Sequence, residues 1–343
     1  MVPIIILLCV VALLAFLTVM TYRGNGMARY ALKRILLLIP TVLLVCVIVF
    51  ILLRAVPTSA VDYMVYQFQT AGITVDAAQV EHMLGMDRPA LIQFFDWFFG
   101  IFRGDLGDSL FQTESVWAII SRQLPVTLEL GILTLIFSNL ISIPLGIYCA
   151  ARQDSIGDYV IRTISVLLLS LPVFWLATMV LVYPAKWWGY APPMTYVSFF
   201  QDPVENMRMF LVPSILGALT QAGMQLRTVR TMTLEVMRQD YIRTCWAKGV
   251  GEKRTLFVHA LRNSMIPIIT MIGGAVAGMI GGSVILETMF NMPGIGAQVV
   301  SALDTRDYPL VQGCVLVFSI FVMVVNLLVD LAYKWIDPRV ELD

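Results

Sequence analysis

ILLLIPTVLLVCVIVFILLRAV, Ile35 to Val56, decides the architecture. Its one charged residue is Arg54, two places from the end. At a rise of 1.5 Å per residue, about 20 apolar residues in a helix cross the hydrocarbon core of a bilayer. Such a helix also satisfies its own backbone hydrogen bonds where there is no water. Six further apolar runs near or above that length share this reading: 3–20, 124–151, 163–185, 209–229, 265–290 and 309–332. Seven spans are therefore expected. Hydrophobic residues make up 59% of the 343 positions and charged ones 13%, against about 45–50% and about 25% in soluble domains. The expected fold class is an all-α membrane protein, and a soluble globular domain is excluded.

The net charge of zero conceals a sorting of charges by side. If segments 21–34, 152–162, 227–262 and 331–343 face the cytoplasm, they hold sixteen of the 23 Lys/Arg residues. The remaining seven lie on the opposite side or at its boundary, although that side carries the longest loop. This is the positive-inside pattern, and it places the C-terminus in the cytoplasm.

Eight of those basic residues fall between Arg227 and Arg262, around DYIRTCWAKGVGEKRTLFVHALRNSMIP, Asp240 to Pro267. The stretch is polar yet patterned as an amphipathic helix, with Trp246, Val250, Leu256, Phe257 and Leu261 available to dock. Taken by themselves, the residues fit a surface for a cytosolic partner and a solvated basic patch beside the lipid equally well.

Other features carry less. Residues 1–20 hold no charge, so the basic start of a signal peptide is absent. They read as an accessory helix with its N-terminus outside, or as sequence upstream of a functional start at Met27. The 57–121 loop carries LIQFFDWFFGIFRGDLGDSLF, Leu91 to Phe111, whose crowded aromatics suit a membrane interface or an external protein. Gly274, Gly278 and Gly282 recur every four residues, a small-residue stripe for close helix packing within the chain or onto a second membrane subunit. A stripe facing a substrate path is the other reading.

Arg54, Glu129, Asn139, Arg227, Glu287, Asn326 and Asp330 lie inside or near the spans, without the paired acid–histidine relay that a proton-coupled carrier needs. The five cysteines are scattered, and His82 and His259 fall on opposite faces, so no metal site is expected. There is no G-x-x-x-x-G-K-[ST] phosphate cradle, G-x-S-x-G elbow or H-E-x-x-H pair. No catalytic or cofactor-binding residue is assigned, and the chain is not expected to be an enzyme.

From Met27 onward the chain resembles the membrane permease of bacterial ABC importers of the dipeptide/oligopeptide/nickel type, and is similar to the first of the two permeases in such systems. The resemblance rests on an ordered set: ARYALKRILLLIPTVLLV, LGMDRPALIQFFDWFFGIFRGDLGDSL, LPVTLELG, IPLGIYCAARQDSIGDYVIRT, LSLPVFWLA, EVMRQDYIRTCWAKGV, ETMFNMPGIG and RDYPLVQG. It implies a six-helix type I permease core (27–343) preceded by an extra transmembrane helix and basic linker (1–26). It further implies an outer loop at 57–121 and a cytoplasmic coupling loop at 230–263.

In that loop Asp240, Tyr241, Arg243, Thr244, Cys245, Trp246, Ala247, Lys248 and Gly249 correspond to the ATPase-coupling segment. Gly249 supplies a tight turn, and Tyr241, Trp246 and Lys248 a contact surface. The implied partners are a second permease subunit, two cytosolic ATPase subunits, an extracytoplasmic substrate-binding protein, the lipid bilayer and a peptide, with no nucleic acid. The implied location is the bacterial cell membrane.

Three departures stand out. Val56-Pro57-Thr58-Ser59-Ala60 replaces the family's usual turn after its first span. Arg243-Thr244-Cys245 stands where Glu-Ala-Ala is the general signature. The 3–20 span has no counterpart in the six-span core. The implied function is the channel of an ATP-driven di- or oligopeptide importer. Import of nickel or another small solute is the alternative within the class, and a stand-alone secondary transporter is the rival outside it.

Overall fold

In the computed structural model, residues 26–57, 59–189, 191–193 and 195–336 are described. The expected 3–20 span lies outside them. Everything regular among the described residues is helical, apart from one isolated bridge between Asp108 and Ser115. Four helices are long and apolar enough to cross a membrane, and two bent helix pairs would raise the number to six.

The chain divides into two compact units. The first contains residues up to Pro125 together with Gln298–Leu327. Its leading helix is α1 (Gly26–Ala55). The 57–121 segment that follows is built of short helices: α2 (Ala60–Thr70), α3 (Ala77–Met83) and α4 (Ala90–Arg103). Ser59 and Asp62 form a reciprocal capping box that opens α2, and Asp76 caps α3. Gly104, with φ 74°, ends α4 in a left-handed turn that a β-carbon would disfavour.

Phe94 faces inward from α4, its ring 5.1 Å from Phe50 of α1 and 5.8 Å from Phe98. Asp307 binds the segment's end to the start of the last helix, α12 (Tyr308–Ile336). Its carboxylate accepts from the Ser109 hydroxyl, from Leu110 N at 3.2 Å and from Leu310 N at 3.3 Å.

Among the described residues, the second unit contains Val126–Ala297 and 328–336. It takes in most of α5 (Val116–Ala151), then α6 (Ile156–Ser170), α7 (Val173–Trp188), α8 (Pro203–Met237), α9 (Asp240–Ala247), α10 (Leu261–Met289) and α11 (Ile295–Thr305) up to Ala297. The continuous span expected over 163–185 is broken, since α6 and α7 meet at 91°. The cause is Leu171-Pro172: proline has no N–H to give the helix and pushes the residue before it into extended backbone, here φ −91°, ψ 123°. The 265–290 span is also bent, by 51°, beside the Gly281-Gly282 pair.

Phe210, Phe290, Leu130 and Met292 are buried together in one core of this unit, and Ile147, Val229, Ile242 and Ile268 in another. Two glycines let helices approach closely. A β-carbon on Gly146 would lie 2.8 Å from Val229, and one on Gly223 would lie 2.8 Å from the Ser165 carbonyl.

Candidate functional site: a short helix between α8 and α10

The chain leaves α8 at Arg238, turns through Gln239 and forms the eight-residue α9. So short a helix does not hold itself together in water, because nucleation costs more than one or two turns return. One side chain supplies the missing free energy. Ile242 is fully buried, packed with Ile147 of α5, Val229 of α8, and Leu256, Ala260 and Ile268 of the chain leading into and through α10. The Tyr241 hydroxyl adds a second tie, accepting from Asn263 Nδ2 at 2.7 Å.

The other predicted contact residues lie around this anchor. Tyr241, Arg243, Thr244, Trp246, Ala247, Lys248 and Gly249 are exposed, with Trp246 at 46%, and Cys245 is half-buried. Asp240 and Arg243 pair at 3.4 Å on the surface, and the Thr244 hydroxyl donates to the Asp240 carbonyl. Gly249 has φ 74°, and Val250 N donates back to the Cys245 carbonyl at 3.0 Å, a left-handed helix stop. The turn expected of Gly249 is therefore present as backbone geometry.

Beyond it come a helical turn at Glu252–Arg254 and a π-helical turn at Thr255–Ala260. The wider π spacing turns Leu256 inward to the core and leaves Phe257 and Val258 outside. Leu256 is thus not available for docking, contrary to the sequence reading, and Val250 and Leu261 are only half-exposed.

Sequence reasoning missed two positions that seat and brace this helix. Ile242 is the one branched aliphatic residue in DYIRTCWA, a signal hidden by the larger tryptophan. Asp158 is fully buried on α6 and accepts from Arg230 of α8 through Nε at 2.9 Å and Nη2 at 2.8 Å, with Arg162 at 3.4 Å. Arg230, counted above among the loop charges, is instead a nearly buried partner that binds α6 to α8 just ahead of α9. The Gly157-Asp158 pair within the quoted DSIGDYVIRT was the available signal.

Among the described residues the glycine stripe Gly274, Gly278 and Gly282 has open space beside it. A β-carbon on Gly274, Gly278 or Gly282 would meet no described atom within 4 Å. The close approach falls on Gly273, where it would come within 2.6 Å of Val329. Gly278 and Gly282 instead line a cavity of about 290 Å³ with Gly131, Thr134, Gly217 and Thr220.

Of the charges in spans, Glu287 is fully buried and accepts from Ala297 N at 3.0 Å in the first turn of α11. Glu129 accepts from the Tyr196 hydroxyl at 3.2 Å. Asn139 donates to its own helix, at the Leu135 carbonyl.

These features define a class: an all-helical, multi-pass membrane protein that presents a small, firmly seated amphipathic helix outside its spans. The chain belongs to the family of binding-protein-dependent transport system inner membrane components. The family's model matches residues 142–342, and the model of its N-terminal region matches residues 27–131. Among its relatives is the dipeptide transport system permease protein DppB of Escherichia coli K12, 32% identical over 339 residues, covering 92% of this chain and 99% of that protein. A Brucella suis biovar 1 protein, provisionally named a peptide transport system permease, is 35% identical over 317 residues, with 92% and 100% covered. A Brucella ovis protein, provisionally named a peptide permease, is 34% identical over 320 residues, with 92% and 99% covered.

Proposed function

We propose that this chain is the membrane channel subunit of an importer for di- or oligopeptides, driven by separate cytosolic ATPase subunits through α9. The observation that carries this reading is the division of labour within α9. Ile242 fixes the helix to the ends of α5 and α8 and to the root of α10, while Tyr241, Trp246 and Lys248 remain exposed for a partner. A push on α9 therefore reaches three spanning helices at once, and the Asp158–Arg230 pair carries it to α6. A two-state membrane unit biased by nucleotide in its partners needs such a connection.

The layout follows. Residues 27–343 form the transporter unit, with 57–121 as an outer loop that receives an extracytoplasmic binding protein and 230–263 as the coupling loop. Residues 1–26 are an added helix and linker. The C-terminus is cytoplasmic, in keeping with the sorting of Lys/Arg residues. Gly274, Gly278 and Gly282, open among the described residues, are available to a second permease subunit or to the substrate path. The peptide substrate is supported by the names of the relatives, and the place of ATP hydrolysis in partners by the missing phosphate cradle.

Cys245, half-exposed on α9, gives the direct test of sidedness. With the chain expressed alone, a membrane-impermeant maleimide should label Cys245 in inverted vesicles and not in intact cells. Labelling from outside would refute the arrangement. Reconstituted with its partners, the transporter should take up dipeptide with ATP and without an ion gradient. Uptake of nickel in place of peptide would reassign the substrate but not the coupling.

A further inference from the structure

The cavity of about 290 Å³ beside Gly278 and Gly282 lies wholly within the second unit, at mid-span. Gly278 stands in the middle of the 265–290 apolar run and Gln221 near the middle of 209–229. Along each of α5, α8 and α10 the cavity is flanked by one apolar core on either side. Leu130, Phe210 and Phe290 belong to the first core, and Leu130 and Leu286 also line the cavity. Ile147, Val229 and Ile268 belong to the second, the one that seats Ile242 of α9. A push on α9 therefore reaches the core that closes one end of this space.

The polar side chains of the cavity are Thr134, Thr220, Gln221 and Ser283, and none of its lining residues is charged. The Thr220 hydroxyl is spent on the Leu216 carbonyl of its own helix. The half-exposed Gln221 amide, by contrast, forms no hydrogen bond among the described residues. One turn along the same face of α8, Gln225 accepts from the Ser142 hydroxyl at 3.1 Å, and its buried Nε2 has no partner among the described residues. Amides left unspent at membrane depth are costly, so this face of α8 calls for water or a hydrogen-bonding solute. An acyl chain offers Gln221 neither donor nor acceptor, and a spanning helix has spent its backbone on itself. A solute that carries its own amide groups answers that need.

We infer that this cavity is a transit site for the peptide cargo, with Gln221 hydrogen-bonding the peptide's own amide and Gly278 and Gly282 setting its width. Such a site rests on the import reading above and specifies where, and by which contacts, the cargo is held. With no charge in the lining, the site distinguishes peptides by backbone and by size, and not by an ion pair to a terminus or side chain. Gly278 and Gly282 are exposed, so a second permease would complete the chamber on that side.

The test is uptake by the reconstituted transporter, with glycylglycine or phenylalanyl-phenylalanine as cargo and ATP hydrolysis followed in parallel. Binding protein is kept saturating, so that delivery does not limit the rate. A β-carbon on Gly278 has open space around it, so Gly278→Leu narrows the cavity without forcing described helices apart. It should lower uptake of the bulky dipeptide on the order of tenfold relative to the small one. Gly274→Leu, on the same stripe but outside the cavity, should not change the ratio between the two cargoes. Gln221→Leu nearly keeps the volume and removes the amide, and should lower uptake of both on the order of tenfold while ATP hydrolysis continues. Equal loss of both cargoes in Gly278→Leu would overturn the inference, because a helix packed on the stripe, from a second permease or from the 3–20 run, is displaced whatever the cargo. Unchanged uptake in Gln221→Leu would overturn it too, even if Gly278→Leu does not assemble. Either result leaves the import reading standing, whereas a wild type without ATP-dependent peptide uptake would remove that reading and this site together.

Discussion

Replacing Ile242 by alanine separates the seat of α9 from its exposed face. The side chain is fully buried among Ile147, Val229, Leu256, Ala260 and Ile268, and truncating such a residue costs about 2–5 kcal/mol in transfer and cavity terms. An eight-residue helix is well below the roughly 12–15 residues at which isolated helices become marginal. The loss therefore falls on the seating of α9 and not on the spans. A loss of about 3 kcal/mol raises the local opening equilibrium about a hundredfold. Hydrogen exchange of the amides of residues 241–250 should quicken accordingly, while exchange within α5 and α8 stays slow. In the reconstituted complex, ATP hydrolysis should continue with less peptide taken up per turnover. Ile242→Leu keeps the volume and should cost less than about 1.5 kcal/mol. Wild-type exchange rates and coupling in Ile242→Ala would refute the role given to this anchor.

Other expectations are more compact. Trp246→Ala removes the largest exposed side chain of α9 and should weaken ATPase association by about 2 kcal/mol or more, read by titrating the ATPase onto the permease, whereas Lys248→Ala should change it by less than about 1 kcal/mol. Gly249→Ala keeps open space around its new β-carbon but strains a backbone at φ 74°, so exchange of the amides of residues 245–250 should report about 1–2 kcal/mol, with Gly249→Asn costing less. Asp158→Asn leaves Arg230 without its buried counter-charge and should lower stability by about 3–5 kcal/mol in thermal unfolding, while replacing both residues by apolar ones of similar size should recover most of that loss.

The sequence alone determined the class. Apolar runs near 20 residues leave no alternative to membrane helices, because a backbone in hydrocarbon must satisfy itself. Lys/Arg sorting supplied an expected orientation, and the basic, amphipathic text around Asp240 singled out a loop that by itself suited a partner or a solvated patch equally well. Even Gly249 was legible, since few residues other than glycine stop a helix in left-handed geometry.

What only the tertiary structure decided were facts about neighbours. Pro172 could be read as a breaker, but the 91° bend it produces depends on how α6 and α7 pack. Leu256 points inward because a π-helical turn rotates it there, which an apolar pattern of period 3.6 does not anticipate. Asp158 and Arg230 stand 72 residues apart and meet only when α6 lies against α8, so neither charge shows in the sequence that it will be buried. Ile242 looked minor beside Trp246 for the same reason. Local text reports the size and polarity of a side chain, whereas its energetic weight depends on which distant helices close around it.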